Sequence, residues 1–146
     1  MKCLASAILG LSLIAIPLFT GAAVAADAAA GEKTFSKCKA CHAVVADDGT
    51  VIYKGGRTGP NLYGVDGRAA GSVEGFRYGR SMDEAGAAGL VWTEETFSGY
   101  LADPKAYLGS YLDTKSVQAK MVFKLPKPED AADVWAYLVS VGPTAD

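Results

Sequence analysis

The chain has 146 residues, 50% of them apolar and 21% charged, with 14 basic and 16 acidic side chains for a formal net charge of −2. That is the composition and length of one ordinary globular domain. The slight acidic excess gives no support to nucleic-acid binding, which rests on clustered basic charge.

Residues 1–26 differ from the rest. Lys2 is followed by an uncharged stretch with an apolar heart from Leu4 to Phe19, then the small residues Ala22-Ala23-Val24-Ala25-Ala26. This pattern predicts a cleaved secretory signal peptide, with the mature domain spanning 27–146 and beginning at Ala26 or Asp27. The apolar heart is shorter than the roughly 20 residues a membrane span needs. Export places the mature protein in the periplasm, and Cys3 leaves with the leader.

A first helix is predicted from Ala28 to about Lys39, capped by Asp27, with Phe35 and Cys38 facing inward. Gly31, one turn before Phe35, would let another helix approach closely. Next come Cys38-Lys39-Ala40-Cys41-His42, the attachment signature of a c-type haem. Two thiols three residues apart share one face and can form thioethers to the two vinyl groups of one porphyrin, while His42 offers iron a neutral imidazole. Zinc is disfavoured, because residues 27–146 supply only three ligands of the Cys or His kind, all in this pentapeptide. A redox dithiol is disfavoured because no strand precedes it.

Residues 43–80 hold ten glycines or prolines and no sustained period, which predicts a loop wrapped on a flat apolar cofactor. Thr93 followed by Glu94 and Glu95 starts a helix that runs to about Asp103, where Pro104 stops it; Phe97, Tyr100 and Leu101 form its apolar face. A short helical turn over Lys105–Leu108 precedes a connection of some twenty residues. The last helix starts near Pro128 or Glu129, buries Val134, Tyr137, Leu138 and Val141, and ends at Gly142-Pro143. Strand signals are nearly absent, so the fold class is mostly α, helices and long loops around one cofactor.

Besides Met1, the chain has two methionines, Met82 and Met121, and either could be a second iron ligand. Met121 is favoured because a long loop can carry it over the haem. Met82 sits among charges, and a core-filling role is the commoner use of the residue.

These residues, with Thr58-Gly59-Pro60-Asn61, Gly67-Arg68, Phe76-Arg77-Tyr78, Trp92-Thr93-Glu94-Glu95, Asp103-Pro104-Lys105 and Lys120-Met121-Val122-Phe123-Lys124, make the chain resemble the class I cytochromes c, most closely the bacterial cytochrome c2 group. The resemblance spans about Gly31 to Val141. It implies the class I cytochrome c fold, one covalent haem c on Cys38 and Cys41, and His42 and Met121 as axial ligands of its iron. It also implies Pro60 as acceptor for the other His42 nitrogen, Tyr100 as donor near the Met121 sulfur, and Arg68, Tyr78 and Trp92 around the haem propionates. Met82 falls beside the propionate region and is not a ligand in the family pattern. The family commonly has threonine two residues before the axial methionine, and this chain has Ala119, which predicts a looser methionine loop.

Iron with both axial positions filled has no room for a substrate, so the expected protein is a carrier and not an enzyme. The expected role is a one-electron shuttle from a cytochrome bc complex to cytochrome oxidase or a photosynthetic reaction centre, acting as a monomer with no small-molecule substrate. The alternative is a fixed electron-transfer subunit or dedicated acceptor of a periplasmic dehydrogenase. Without Lys2 the chain carries 13 basic and 16 acidic residues, yet residues 33–57 and 105–127 hold ten of those bases and three acids. Both stretches adjoin the haem elements, which predicts a lysine-rich haem edge that steers docking onto acidic partners.

Overall fold

A computed structural model describes residues 25–143; the predicted leader lies almost wholly outside the described residues. The described residues form five helices: α1 (Ala28–Phe35), α2 (Arg80–Ala87), α3 (Glu94–Ala102), α4 (Pro104–Tyr111) and α5 (Pro128–Ser140), with long connections after α1 and α4 and only Asp103 between α3 and α4. Between α1 and α2 lies an antiparallel two-stranded ribbon, β1 (Val44–Val45) and β2 (Val51–Tyr53), with Val44 opposite Tyr53. No helix of the described residues is long and apolar enough to cross a membrane.

The central contact is the crossing of α1 and α5. A Cβ on Gly31 would lie 1.9 Å from the Asp133 carbonyl oxygen, so only glycine lets the two backbones meet here. Phe35, fully buried, packs its ring against Tyr53 at 4.9 Å and Tyr137 at 5.6 Å, joining α1, the ribbon and α5 in one apolar cluster. Asp27 caps α1 by accepting from the Ala29 and Ala30 amides, and its own amide donates to Asp133 Oδ1 at 2.7 Å.

α3 has the expected cap: Thr93 accepts from the Thr96 amide and Thr96 returns a bond to the Thr93 amide, with Glu94 and Glu95 at the positive end of the helix. Phe97, Tyr100 and Leu101 are all buried, and Phe97 meets Trp135 of α5 at 5.2 Å.

Four sequence expectations need correction. The first helix ends at Phe35, and residues 36–41 continue as successive turns in which the Ser36, Lys37 and Cys38 amides donate three residues back, to the Lys33, Thr34 and Phe35 carbonyls. Asp103-Pro104 both stops α3 and starts α4, with Asp103 accepting from the Ala106 amide and proline at the first helical position, so the short turn is an eight-residue helix. Within the stretch read as loop, the ribbon forms and α2 begins at its end. At the C-terminal end of α5, Val141 is half-buried and Gly142 does not adopt the left-handed conformation; Trp135 joins Val134, Tyr137 and Leu138 on the buried face.

Candidate haem-binding site

The Cys38–His42 segment is shaped by the loop after the ribbon. The Gly56 amide donates to the Lys39 carbonyl at 2.8 Å and the Gly59 amide to the Cys41 carbonyl at 2.9 Å. Cβ atoms at Gly55, Gly56 and Gly59 would lie 1.8 Å from His42 O, 2.2 Å from Ala40 O and 2.4 Å from His42 Cε1, so the three glycines let this loop lie flush on the attachment segment. Asn61 pins the end of the loop to β1, exchanging hydrogen bonds with Val45 N and O at 3.0 and 2.7 Å and accepting from the Tyr63 amide. Pro60 is thereby held with its carbonyl 2.8 Å from His42 Nδ1.

That contact determines the state of the ring. A carbonyl only accepts, so Nδ1 carries the proton, and burial lowers the His42 pKa and keeps the ring neutral. Nε2 is left with its lone pair for the cavity that His42 lines. Burial pushes the Cys38 thiol up to about 11, the reverse of the depressed thiol of a redox dithiol. Among the described residues, no three His, Cys, Asp or Glu side chains converge as a metal site of their own.

The cavity has a volume of about 340 Å³. Its wall includes every candidate haem-site residue read from the sequence: Cys38, Cys41 and His42 from the turns after α1, Pro60 and Arg68 from the loops, Tyr78 just before α2, Trp92 just before α3, Tyr100 on α3, and Met121 from the α4–α5 connection. Residues far apart in the chain, among them Phe35, Leu62, Val65, Phe97, Leu108 and Val134, supply its apolar lining. Met82, flanked in sequence by the charged Arg80 and Asp83, is buried on α2 and also reaches this wall. The signal that could have found it is the apolar pair Met82 and Ala85, three residues apart.

The polar groups of the wall have unspent capacity. Arg68 donates to the Tyr63 carbonyl at 2.8 Å and the Asn61 carbonyl at 3.1 Å, leaving other guanidinium N–H groups free. Among the described residues no carboxylate pairs with it, so a half-buried cation faces the cavity without a counter-charge. Trp92 and Tyr100 pack edge to face at 5.2 Å, and burial pushes the Tyr100 hydroxyl up to about 12, so it stays a hydrogen-bond donor at neutral pH. The Tyr78 hydroxyl accepts from the Val73 amide at 3.3 Å.

One neutral imidazole nitrogen, one thioether and two thiols thus border a single apolar cavity that also presents an uncompensated guanidinium and a phenol donor. This donor set fits a tethered iron porphyrin: sulfur for its vinyl groups, nitrogen and thioether for its metal, cationic and hydroxyl groups for its carboxylates.

No protein-family model matches the chain. It is 50% identical over 129 residues to cytochrome c2 of Rhodobacter capsulatus, covering 88% of this chain and 89% of that protein. It is 48% identical over 134 residues to cytochrome c-551 of Roseobacter denitrificans, covering 92% and 91%. The solved structure of cytochrome c2 from Paracoccus denitrificans matches with a TM-score of 0.78 at 50% identity, over 82% of this chain and 99% of that one.

Proposed function

The chain belongs to the cytochrome c2 family, and on that premise we propose that it is a periplasmic electron carrier holding one haem c between His42 and Met121. It is not an enzyme. It shuttles single electrons between membrane redox complexes, from a cytochrome bc complex to a terminal oxidase or a photosynthetic reaction centre. The observation that carries this reading is the neutral His42, its Nδ1 engaged by Pro60 and its Nε2 left for a cavity whose wall also holds Met121.

Bound haem supplies a one-electron ferric/ferrous couple. The protein's own groups set the conditions for it. Cys38 and Cys41 provide the thioether sulfurs. Pro60 orients the imidazole and, by drawing on its proton, makes Nε2 a better donor. Tyr100 offers its hydroxyl toward the Met121 sulfur, while Arg68, with Tyr78 and Trp92, neutralises carboxylates. The apolar lining excludes water, which disfavours the more highly charged oxidised state and raises the reduction potential.

For docking we propose the basic surface beside the site. Lys37 and Lys120 border the cavity, and Lys39, Lys54, Arg57, Lys105, Lys115 and Lys127 have no carboxylate partner among the described residues. Such cations are free to meet an acidic partner, and the carrier acts as a monomer. A fixed subunit of a larger dehydrogenase is not favoured, since the relatives at about 50% identity are cytochromes c2 and c-551. Leader removal at Ala26 or Asp27 releases it to the periplasm.

The test uses the holoprotein. The weak far-red band of sulfur bonded to ferric haem should vanish in Met121→Ala and persist in Met82→Ala, and the native ferrous form should not bind carbon monoxide. The reverse pattern for the two methionines would refute the ligand assignment. Electron transfer to membrane complexes should slow steeply with salt, and a flat dependence would remove the basic docking surface.

A further inference from the structure

Met121 lies in a stretch with little holding it. Between Val117 and Lys124, the only backbone N–H and C=O groups hydrogen-bonded to the rest of the protein, among the described residues, are those of Gln118. Both go to one residue. The Gln118 amide donates to Ser81 Oγ at 2.9 Å, and the Ser81 amide donates to the Gln118 carbonyl at 3.4 Å. Ser81 sits in the first turn of α2 and is 1% exposed, a polar side chain within an otherwise apolar core. A hydroxyl so buried persists only where it is hydrogen-bonded.

The neighbouring residues close the same contact. A Cβ on Gly79 would come within 2.6 Å of the Gln118 carbonyl oxygen and 3.3 Å of the Lys120 amide nitrogen, so the start of α2 lies flush on the loop. Lys120 Nζ donates to the Arg77 carbonyl. Ala119, between the two anchored residues, has no side-chain hydrogen bond to add.

We propose that Ser81 is a positioning residue for Met121, fixing Gln118 three residues upstream and so setting how readily the thioether leaves the iron. This rests on the ligand assignment made above. A free loop has many conformations that carry Met121 away from its place, and the Ser81–Gln118 pair removes most of them at the shared attachment point. A competing ligand binds only the fraction of molecules in which the sulfur has left, so its apparent affinity reports that fraction directly.

The probe is imidazole added to the ferric holoprotein, followed by loss of the far-red sulfur band. Ser81→Ala removes the side-chain acceptor and should raise the apparent imidazole affinity about tenfold, the effect of losing one buried hydrogen bond. Leu138→Val, at a buried α5 position that is not part of the cavity wall, should lower the unfolding temperature without moving that affinity. Unchanged imidazole affinity in Ser81→Ala would overturn the proposal. Should that variant fail to accumulate as holoprotein, hydrogen exchange of the unaltered protein decides: the Gln118 amide should exchange far more slowly than the Ala119 and Lys120 amides, which make no backbone bond, and equal rates would overturn it. Met121→Ala keeps the two ideas apart. A far-red band surviving in that variant would sink the ligand assignment, whereas a lost band beside an inert Ser81→Ala would sink only the role of Ser81.

Discussion

Gly59→Ala should damage the site through one atom. The added Cβ would lie 2.4 Å from His42 Cε1 and 2.7 Å from both ring nitrogens, over the imidazole face, where ordinary contact begins at 3.4 Å. The ring must therefore retreat by about 1 Å, enough to break a 2.8 Å bond to Pro60 whose useful range ends near 3.2 Å. Gly59 does not have a positive φ, so the clash is the whole effect. Overpacking costs about 1–3 kcal/mol and the lost hydrogen bond about 1 kcal/mol, a total of about 2–4 kcal/mol. At roughly 4 °C per kcal/mol for a domain of this size, the holoprotein should melt about 8–16 °C lower. The reduction potential should rise as well, because an imidazole without its acceptor is a poorer donor to ferric iron. Calorimetry and a redox titration measure both. A melting temperature within about 2 °C of the parent, with an unmoved potential, would refute the account of how His42 is seated.

Gly31→Ala drives a Cβ to 1.9 Å from the Asp133 carbonyl and should part α1 from α5, costing about 3 kcal/mol or more; thermal melts followed by circular dichroism test it, and a stable variant would mean the crossing is looser than described. Arg68→Lys keeps the charge but cannot hold both the Tyr63 and Asn61 carbonyls, so it should lose about 1–2 kcal/mol in a denaturant titration, and a neutral result would show that the fork is not needed. Lys124, and then the Ala106 amide, hold the Asp103 carboxyl below the usual carboxylate range. A group depressed on folding stabilises above its unfolded pKa of about 4 and ceases to as pH falls through the folded value. The parent's advantage over Asp103→Asn should therefore be constant above about pH 5 and vanish in acid; a difference independent of pH would count against it.

The parts of the fold legible in sequence were those whose signal is local. The Cys38–His42 pentapeptide, the Thr93 cap with its two following acids, and the apolar spacing of α5 each announce themselves within a few residues. Every wall residue named from the motifs borders the cavity. α2 escaped because its cap is Gly79 with no side-chain bond, it contains Gly86, and its apolar content is only Met82 and alanines. It is held by tertiary contact: a Cβ on Gly86 would meet the Ala70 carbonyl at 2.1 Å, a close approach visible only in the folded chain. The early end of α1 escaped because no residue pattern marks it: after Phe35 the Ser36, Lys37 and Cys38 amides bond three residues back in place of four. Asp103-Pro104 was misread because a proline that ends one helix is equally suited to open the next. Ser81 carries no motif, and its role emerges only when α2 and the methionine loop are brought together.

The amide of Asp27 resting 2.7 Å from Asp133 has a meaning for biogenesis. While a leader precedes it, that nitrogen is an uncharged peptide group; a cut after Ala26, the second of the two proposed positions, would turn it into an ammonium beside a carboxylate. The proteolytic cut would then do more than free the polypeptide: it would clamp the amino end onto α5 with an ion pair absent from the precursor, so that Asp133→Asn should weaken the processed form more than the unprocessed one.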